Sequence, residues 1–208
     1  RGQIVRRALR TDGDGEWTTV VPEQRGVIVS FTVQEDALYF TERDSGAVLL
    51  RRVMRGRTAV EAVTIPSKGT VRLQRGQPST VGVTFFTETW ATAPHWQRVV
   101  DRTGRVEALP IDDGSAATQA GAVTSATLQA TSKDGTRVPV SIVYGARAQR
   151  NGVFDGTAPL LIEAYGGFSS TTDPGYNPFA HVWTALGGVY AWAHVRGGGE
   201  LGDAWHTA

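Results

Sequence analysis

The first half of the chain changes between apolar and polar positions in short runs. VIVSFTV, ALYFTE, VLLRRV, VGVTFFTE and WQRVVD are each six to eight residues long and rich in Val, Phe and Thr. Gly, Asp, Ser and Pro punctuate them. Side chains of this kind fit a pleated, half-buried surface, and the punctuation supplies turns. The pattern predicts strands and an all-β architecture over residues 1–112.

A self-comparison sharpens that reading. Phe40-Thr41-Glu42 recurs as Phe86-Thr87-Glu88, Arg52-Val53 as Arg98-Val99, and Val60-Glu61-Ala62 as Val106-Glu107-Ala108, all at one offset of 46 residues. A four-stranded propeller blade takes roughly 40–50 residues. We therefore expect two β-propeller blades, near 27–68 and 69–112, with part of another before them. A β-sandwich with coincidental similarity is the alternative. Propellers typically have about four to eight blades, so a propeller of this kind is incomplete within these residues.

Beyond residue 112 the texture changes. A small, polar stretch within Ile111–Ser125 reads as a connector, placed at 113–124. ATLQATSKDGTRVPVSIVYG is two alternating runs around Lys133-Asp134-Gly135-Thr136, the pattern of a hairpin. PLLIEAYGGF is nearly continuously apolar, as expected of a strand buried on both faces. NPFAHVWTALGG predicts a short helix with Phe179, Val182, Trp183 and Leu186 on its apolar face and Gly187-Gly188 as its stop. VYAWAHV predicts a second buried strand. Strand, helix, strand is a parallel crossover, so residues 125–208 predict the start of an α/β domain.

Composition narrows the chemistry. A net charge of +1 over 208 residues gives no strong field for nucleic acid or an anionic membrane. There are no cysteines, which removes disulfides, thiolate metal sites and a cysteine nucleophile. No apolar run approaches the roughly 20 residues that span a bilayer, and a soluble protein, cytoplasmic or periplasmic, is expected. The chain opens on Arg1 without a signal-peptide pattern and closes at Ala208, soon after a glycine motif. We expect a processed or truncated chain.

Open α/β sheets place their sites at the carboxyl ends of strands. Two such ends are EAYGGF and VRGGGELGDAWH. In the first, Gly166-Gly167 allows positive φ or close backbone approach, and Tyr165 could give a hydrogen bond to negative charge developing on a substrate oxygen. A buried Tyr tied to backbone is the alternative. The second contains Gly197, Gly199 and Gly202, a G-x-G-x-x-G spacing that raises nucleotide binding. The dinucleotide fingerprint also needs a following helix and an acid roughly 20 residues on. Glu200 inside the motif would moreover oppose a pyrophosphate. We read these glycines as a tight strand exit packed beside the Tyr165 loop.

Other candidates are weaker. His95, His181, His194 and His206 form no H-x-x-x-H and have no carboxylate at ligand spacing, so no metal site is expected. His194 reads as a hydrogen-bonded core residue. Asp12, Asp14, Asp112 and Asp113 read as turn residues. Trp90 and Trp96 are expected to pack between blades. The nucleophile elbow G-x-S-x-G is absent from the sequence.

PLLIEAYGGF, GGVYAWAHVRGGGELGDAWH and SKDGTRVPVSIVY resemble the prolyl oligopeptidase family of serine peptidases. The resemblance is motif-specific over residues 125–208 and rests on the blade repeat and chain order before that. It implies a β-propeller joined to an α/β-hydrolase domain and hydrolysis of short peptides after proline through an acyl-enzyme. It further implies that the Tyr165 hydroxyl belongs to the oxyanion hole and that Phe168, with Gly166 and Gly167, borders the substrate pocket. No cofactor is implied. The partners implied are a short peptide substrate and the remainder of the same propeller and hydrolase domain. Glu163 and Ala164 depart from the aromatic and Gly usual in prolyl-specific members, and AHVRGGGELG is also close to the oligopeptidase B branch, which cleaves after Lys or Arg. An esterase or acylaminoacyl-peptidase relative, or a non-catalytic propeller module, are the remaining alternatives. The family's Ser, Asp and His lie beyond RGGGE. None is therefore assigned to a residue here, His206 included, and these residues alone are expected to be inactive.

Overall fold

The computed structural model describes residues 2–10, 13–44, 47–66, 69–111 and 122–208. Most of the expected connector, together with Asp12, Asp112 and Asp113, lies outside them, as does the side chain of Asp14. The chain divides into two compact units. One holds residues 1–87 and 94–112, the other 88–93 and 113–208.

The first unit contains three antiparallel sheets in chain order. Strands β1 (Ile4–Arg10) and β2 (Gly13–Val21) form a two-stranded sheet. Strands β3 (Val27–Val33), β4 (Ala37–Asp44), β5 (Ala47–Met54) and β6 (Val60–Ala62) form a four-stranded meander. Strands β7 (Thr70–Leu73), β8 (Thr84–Glu88), β9 (His95–Val99) and β10 (Val106–Ala108) form another. The repeat is thereby explained. Its matches equate β4 with β8, β5 with β9 and β6 with β10, so each recurring tripeptide holds the same place in its sheet.

The sheets stack through two apolar layers. Ile4 and Val21 pack against Phe40 and Val53. Ala37, Tyr39, Val48 and Leu50 pack against Val71, Val83, Phe85 and Val99. Consecutive residues Tyr39 and Phe40 thus fill opposite layers, and both are fully buried. This is why β4 lacks the alternation of a one-sided strand. A polar hub joins the two meanders. Asp36 accepts a hydrogen bond from the Tyr39 hydroxyl at 2.7 Å and another from the Gly82 backbone at 2.9 Å. Burial, then the neighbouring Asp36 carboxylate, pushes the Tyr39 phenol well above its ordinary range. Gly82 itself is compelled. Its φ is +73° and a Cβ there would lie 1.7 Å from the Val99 carbonyl oxygen.

The second unit is a four-stranded mixed sheet of order β11-β12-β14-β13. Strands β11 (Val123–Thr131) and β12 (Arg137–Gly145) are the expected hairpin, closed by Ser132 N–H to the Thr136 carbonyl. A single helical turn, Ala146–Ala148, follows. Strands β13 (Leu160–Ala164) and β14 (Val189–Ala193) run parallel, joined through helix α1 (Pro178–Ala185), and β14 is antiparallel to β12. Asn177 caps α1 by accepting from the Phe179 and Ala180 amides. Gly187 N–H to Thr184 and Gly188 N–H to Trp183, with Gly187 at φ +95°, end it in a Schellman motif.

Three expectations are corrected here. The helix buries Ala180, His181 and Thr184, while Phe179, Val182 and Leu186 face outward. Small residues let the helix approach the sheet closely, and that selects the buried face. Among the described residues strand β13 is the outermost of its sheet, with Leu160 and Ile162 more than half exposed, where a strand buried on both faces was expected. Neither tryptophan packs between the meanders. Trp96 pairs with Phe86 on the adjacent strand of its own sheet, and Trp90 stacks on Trp192 of the second unit at 4.1 Å.

Removing Asp36 would leave the Gly82 amide and the Tyr39 hydroxyl buried without partners, at about 1–3 kcal/mol each. Asp36→Ala is expected to lower unfolding stability by about 2 kcal/mol or more. Urea denaturation measures the loss, and a change within error of parent would show that the hub is dispensable.

Candidate active-site loops

The parallel register sets the geometry. Leu160 pairs with Val189 and Ala164 with Ala193, so the two strands end level. The loop after β13 and the loop after β14 therefore leave from the same end of the sheet. These are the two candidate stretches.

They dock backbone to backbone. Ser169 N–H donates to the Gly197 carbonyl at 3.1 Å, and Gly199 N–H to the Ser170 carbonyl at 3.0 Å. The glycines are there for this approach. A Cβ on Gly197, whose φ is +90°, would lie 2.1 Å from the Gly166 carbonyl oxygen. One on Gly199 would lie 2.5 Å from the Ser169 carbonyl oxygen, and one on Gly166 would lie 2.5 Å from a Val195 methyl. A side chain at any of these positions would separate the loops.

The docked loop presents two aromatic residues. Tyr165 directly follows β13 and is 66% exposed. Its ring lies against Gly167, where a Cβ would come within 3.1 Å of it. Its hydroxyl makes no hydrogen bond to a described residue. Phe168 is 91% exposed and has a φ of +54°, as does Ser169. Left-handed backbone at a non-glycine residue costs roughly 1–3 kcal/mol. Two in succession hold a large apolar ring in solvent. A cleft of about 410 Å³ opens beside Tyr165, bordered also by Glu163, Thr172 and Trp192. Glu163 accepts a hydrogen bond from the Tyr190 hydroxyl. Burial, reinforced by this carboxylate, pushes the Tyr190 phenol up to about 12.

The RGGGE loop is secured at several points. Arg196 pairs with Asp134 of the β11–β12 turn at 2.6 Å. Helix α2 (Asp203–His206) folds back on it, with Gly197 N–H donating to the Trp205 carbonyl and Trp205 Nε1 to the His194 carbonyl. His206 Nδ1 donates to the Gly197 carbonyl at 2.7 Å, which ties His206 to loop backbone. His194 is buried just past β14, with Nε2 2.8 Å from Ser141 Oγ. His181 is buried in α1 with Nε2 3.2 Å from the Trp90 carbonyl oxygen. The histidines are not gathered, and no cluster able to hold a metal occurs among the described residues. No described helix is long and apolar enough to cross a membrane. Sequence reasoning missed Ser141 and Thr172. A lone Ser inside the apolar run VPVSIVY was the available signal for the first; the second had none.

Comparisons with known proteins agree with this geometry. An uncharacterized peptidase of Sinorhizobium fredii is 42% identical over 107 residues, covering 51% of this chain and 14% of that protein. A prolyl endopeptidase of Elizabethkingia meningoseptica is 38% identical over 78 residues, covering 38% of this chain and 10% of that protein. A chain from a structural study of two prolyl endopeptidases superposes with a TM-score of 0.71 at 26% identity, covering 92% of this chain and 28% of that one. No family model matches the chain. The matched stretches thus span about a seventh or less of these curated relatives. The blade-like meanders followed in the chain by a mixed sheet define a propeller and α/β-hydrolase architecture. Within that class, the chain is similar to members of the prolyl oligopeptidase family.

Two outcomes follow from the docking. Gly197→Ala is expected to release the 165–172 loop, seen as new cleavage there in limited proteolysis; an unchanged digestion pattern would contradict the close approach. Asp134 is held down from 3.8 to about 2, first by the backbone and side chain of Thr136 and then by Arg196. A depressed carboxyl adds stability above pH 3.8 that is lost as pH falls toward 2. Arg196→Ala should therefore raise the Asp134 midpoint only part of the way to 3.8 in a carboxyl NMR titration, because Thr136 remains. Full recovery would mean that Arg196 alone depresses it.

Proposed function

We propose that this chain is part of a serine oligopeptidase that hydrolyses short peptides after proline, through an acyl-enzyme on a serine outside these residues. Tyr165 donates its hydroxyl to the oxyanion that forms as the serine attacks the peptide carbonyl. Phe168 borders the pocket for the residue at the cleaved bond, beside Gly166 and Gly167. The triad lies elsewhere in the protein, so these residues alone do not hydrolyse peptides. No cofactor takes part. The partners are a peptide and the rest of the same propeller and hydrolase domain.

The observation that carries this reading is the exposed Tyr165 with its free hydroxyl, at the carboxyl end of a parallel strand. Oxyanion stabilisation requires a donor aimed where charge develops and not already committed to the protein. Phe168 supports the pocket assignment, since its strained backbone keeps an apolar ring accessible. Cleavage after proline is supported by the likeness to a prolyl endopeptidase. AHVRGGGELG favours a second reading, cleavage after Lys or Arg. A panel of proline, arginine and N-acyl peptides together with simple esters separates the two readings and the esterase alternative.

Loss of one oxyanion donor typically costs about 100- to 1000-fold in turnover. In the protein that carries this chain, Tyr165→Phe is expected to lower kcat by that factor while a fluorophosphonate probe still labels the serine. Unchanged turnover would remove Tyr165 from the oxyanion hole. Absence of labelling in the parent protein would remove the serine mechanism.

A further inference from the structure

Behind the two docked loops is a buried polar chain that no step above uses. Ser141 on β12 is buried, and its Oγ lies 2.8 Å from His194 Nε2. His194 Nδ1 stands 3.6 Å from Glu200 Oε1. The same Oε1 accepts the Thr172 backbone N–H at 3.0 Å. The His194 and Glu200 side chains are only 10% and 16% exposed. His194 Nδ1 and Glu200 Oε2 are buried with no hydrogen-bond partner among the described residues.

A buried carboxylate is costly unless it is paired or hydrogen-bonded. Glu200 meets that need with the Thr172 amide and lies beside the His194 imidazole, 3.6 Å away. The imidazole is in turn oriented from behind by the Ser141 hydroxyl, and its backbone is fixed by His194 N–H to the Pro139 carbonyl at 3.0 Å. Three hydrogen bonds stitch the 169–172 segment to 197–200, and the one to Glu200 uses a side chain. That bond lies just past the left-handed Phe168 and Ser169. Glycine at 198 leaves room for the carboxylate, since a Cβ there would lie 2.2 Å from Oε2.

We propose that Glu200 is a positioning residue for the Tyr165–Phe168 loop, oriented by His194 and through it by Ser141. Neither Glu200 nor His194 touches substrate. They act by holding Thr172, and hence the loop that carries the Tyr165 hydroxyl and the Phe168 ring. The kinetic part of this inference rests on the oxyanion reading given above; the structural part does not.

Hydrogen exchange of the peptide containing residues 166–173, with steady-state kinetics on the protein that carries this chain, tests it. Glu200→Ala removes the acceptor of the Thr172 amide. Exchange in that peptide should rise about tenfold while the β12 and β14 peptides keep their protection, the worth of a charge-assisted hydrogen bond. Turnover should fall about 10- to 100-fold with KM little changed, as for a misplaced catalytic group. Glu200→Gln keeps an acceptor for Thr172 and should restore most of both. His194→Ala should loosen the same peptide, and it decides the matter if Glu200→Ala does not fold. Unchanged exchange in that peptide, or a uniform rise across the whole unit, overturns the proposal. Tyr165→Phe, assayed in parallel, separates the two ideas. If Tyr165→Phe leaves turnover intact while Glu200→Ala still loosens the peptide, the oxyanion reading falls and the positioning stands.

Discussion

The second unit depends on the close approach of Gly197 to the Gly166 carbonyl oxygen, where an added Cβ would lie 2.1 Å away. It exists because β13 and β14 are parallel and in a register that ends them level, so two loops emerge into the same space. Only glycine at 166, 197 and 199 lets the two backbones close to hydrogen-bonding distance. Once they close, the positions of Tyr165, Phe168, Thr172 and Glu200 are no longer independent. The G-x-G-x-x-G spacing at 197–202 is thus accounted for by backbone meeting backbone, with no nucleotide needed to explain it.

The first unit depends on a different economy. Its two meanders repeat at 46 residues, and the repeat preserves the strand faces, but the polar residues within it have diverged in partner. Glu42 accepts the Gly26 amide and pairs with Arg51, whereas its counterpart Glu88, which falls within the second unit, accepts the Tyr176 amide of that same unit. Asp36 bonds to Gly82, the residue at its own repeat position in the next sheet. A repeat in sequence thereby becomes a repeat in space with a side chain of one copy capping backbone of the other. Stacked sheets need such links, because apolar layers alone are non-directional and do not set lateral register.

What could be read from the sequence follows from which interactions are local. Strands, the hairpin turn at Gly135 and the Gly187-Gly188 helix stop are specified by neighbours within a few residues, and pattern reasoning located them. The buried face of α1 was misjudged because closeness of packing, set by Ala180 and Thr184, outweighed the apolar stripe at Phe179, Val182 and Leu186. Trp90 was misplaced because its stacking partner, Trp192, is about a hundred residues away and leaves no periodic trace. The role of His194 depends on Ser141 and Glu200, which only the register of β12 and the turn after β14 bring together.

The same distinction bears on the candidate site itself. Tyr165 and Phe168 could be singled out because Gly-Gly after a strand signals a special backbone, but nothing local explains how that backbone is kept. Two consecutive left-handed residues at roughly 1–3 kcal/mol each would relax in an isolated loop. Here they persist because each neighbour is already committed: Ser169 N–H to Gly197, the Ser170 carbonyl to Gly199, and Thr172 N–H to Glu200. Relaxing Phe168 would break the bonds made just after it. The backbone that carries the Phe168 ring and follows Tyr165 is therefore held in place by the docking. A held backbone is what a preorganised site requires, since reorganisation at the moment of reaction would cancel much of the electrostatic gain.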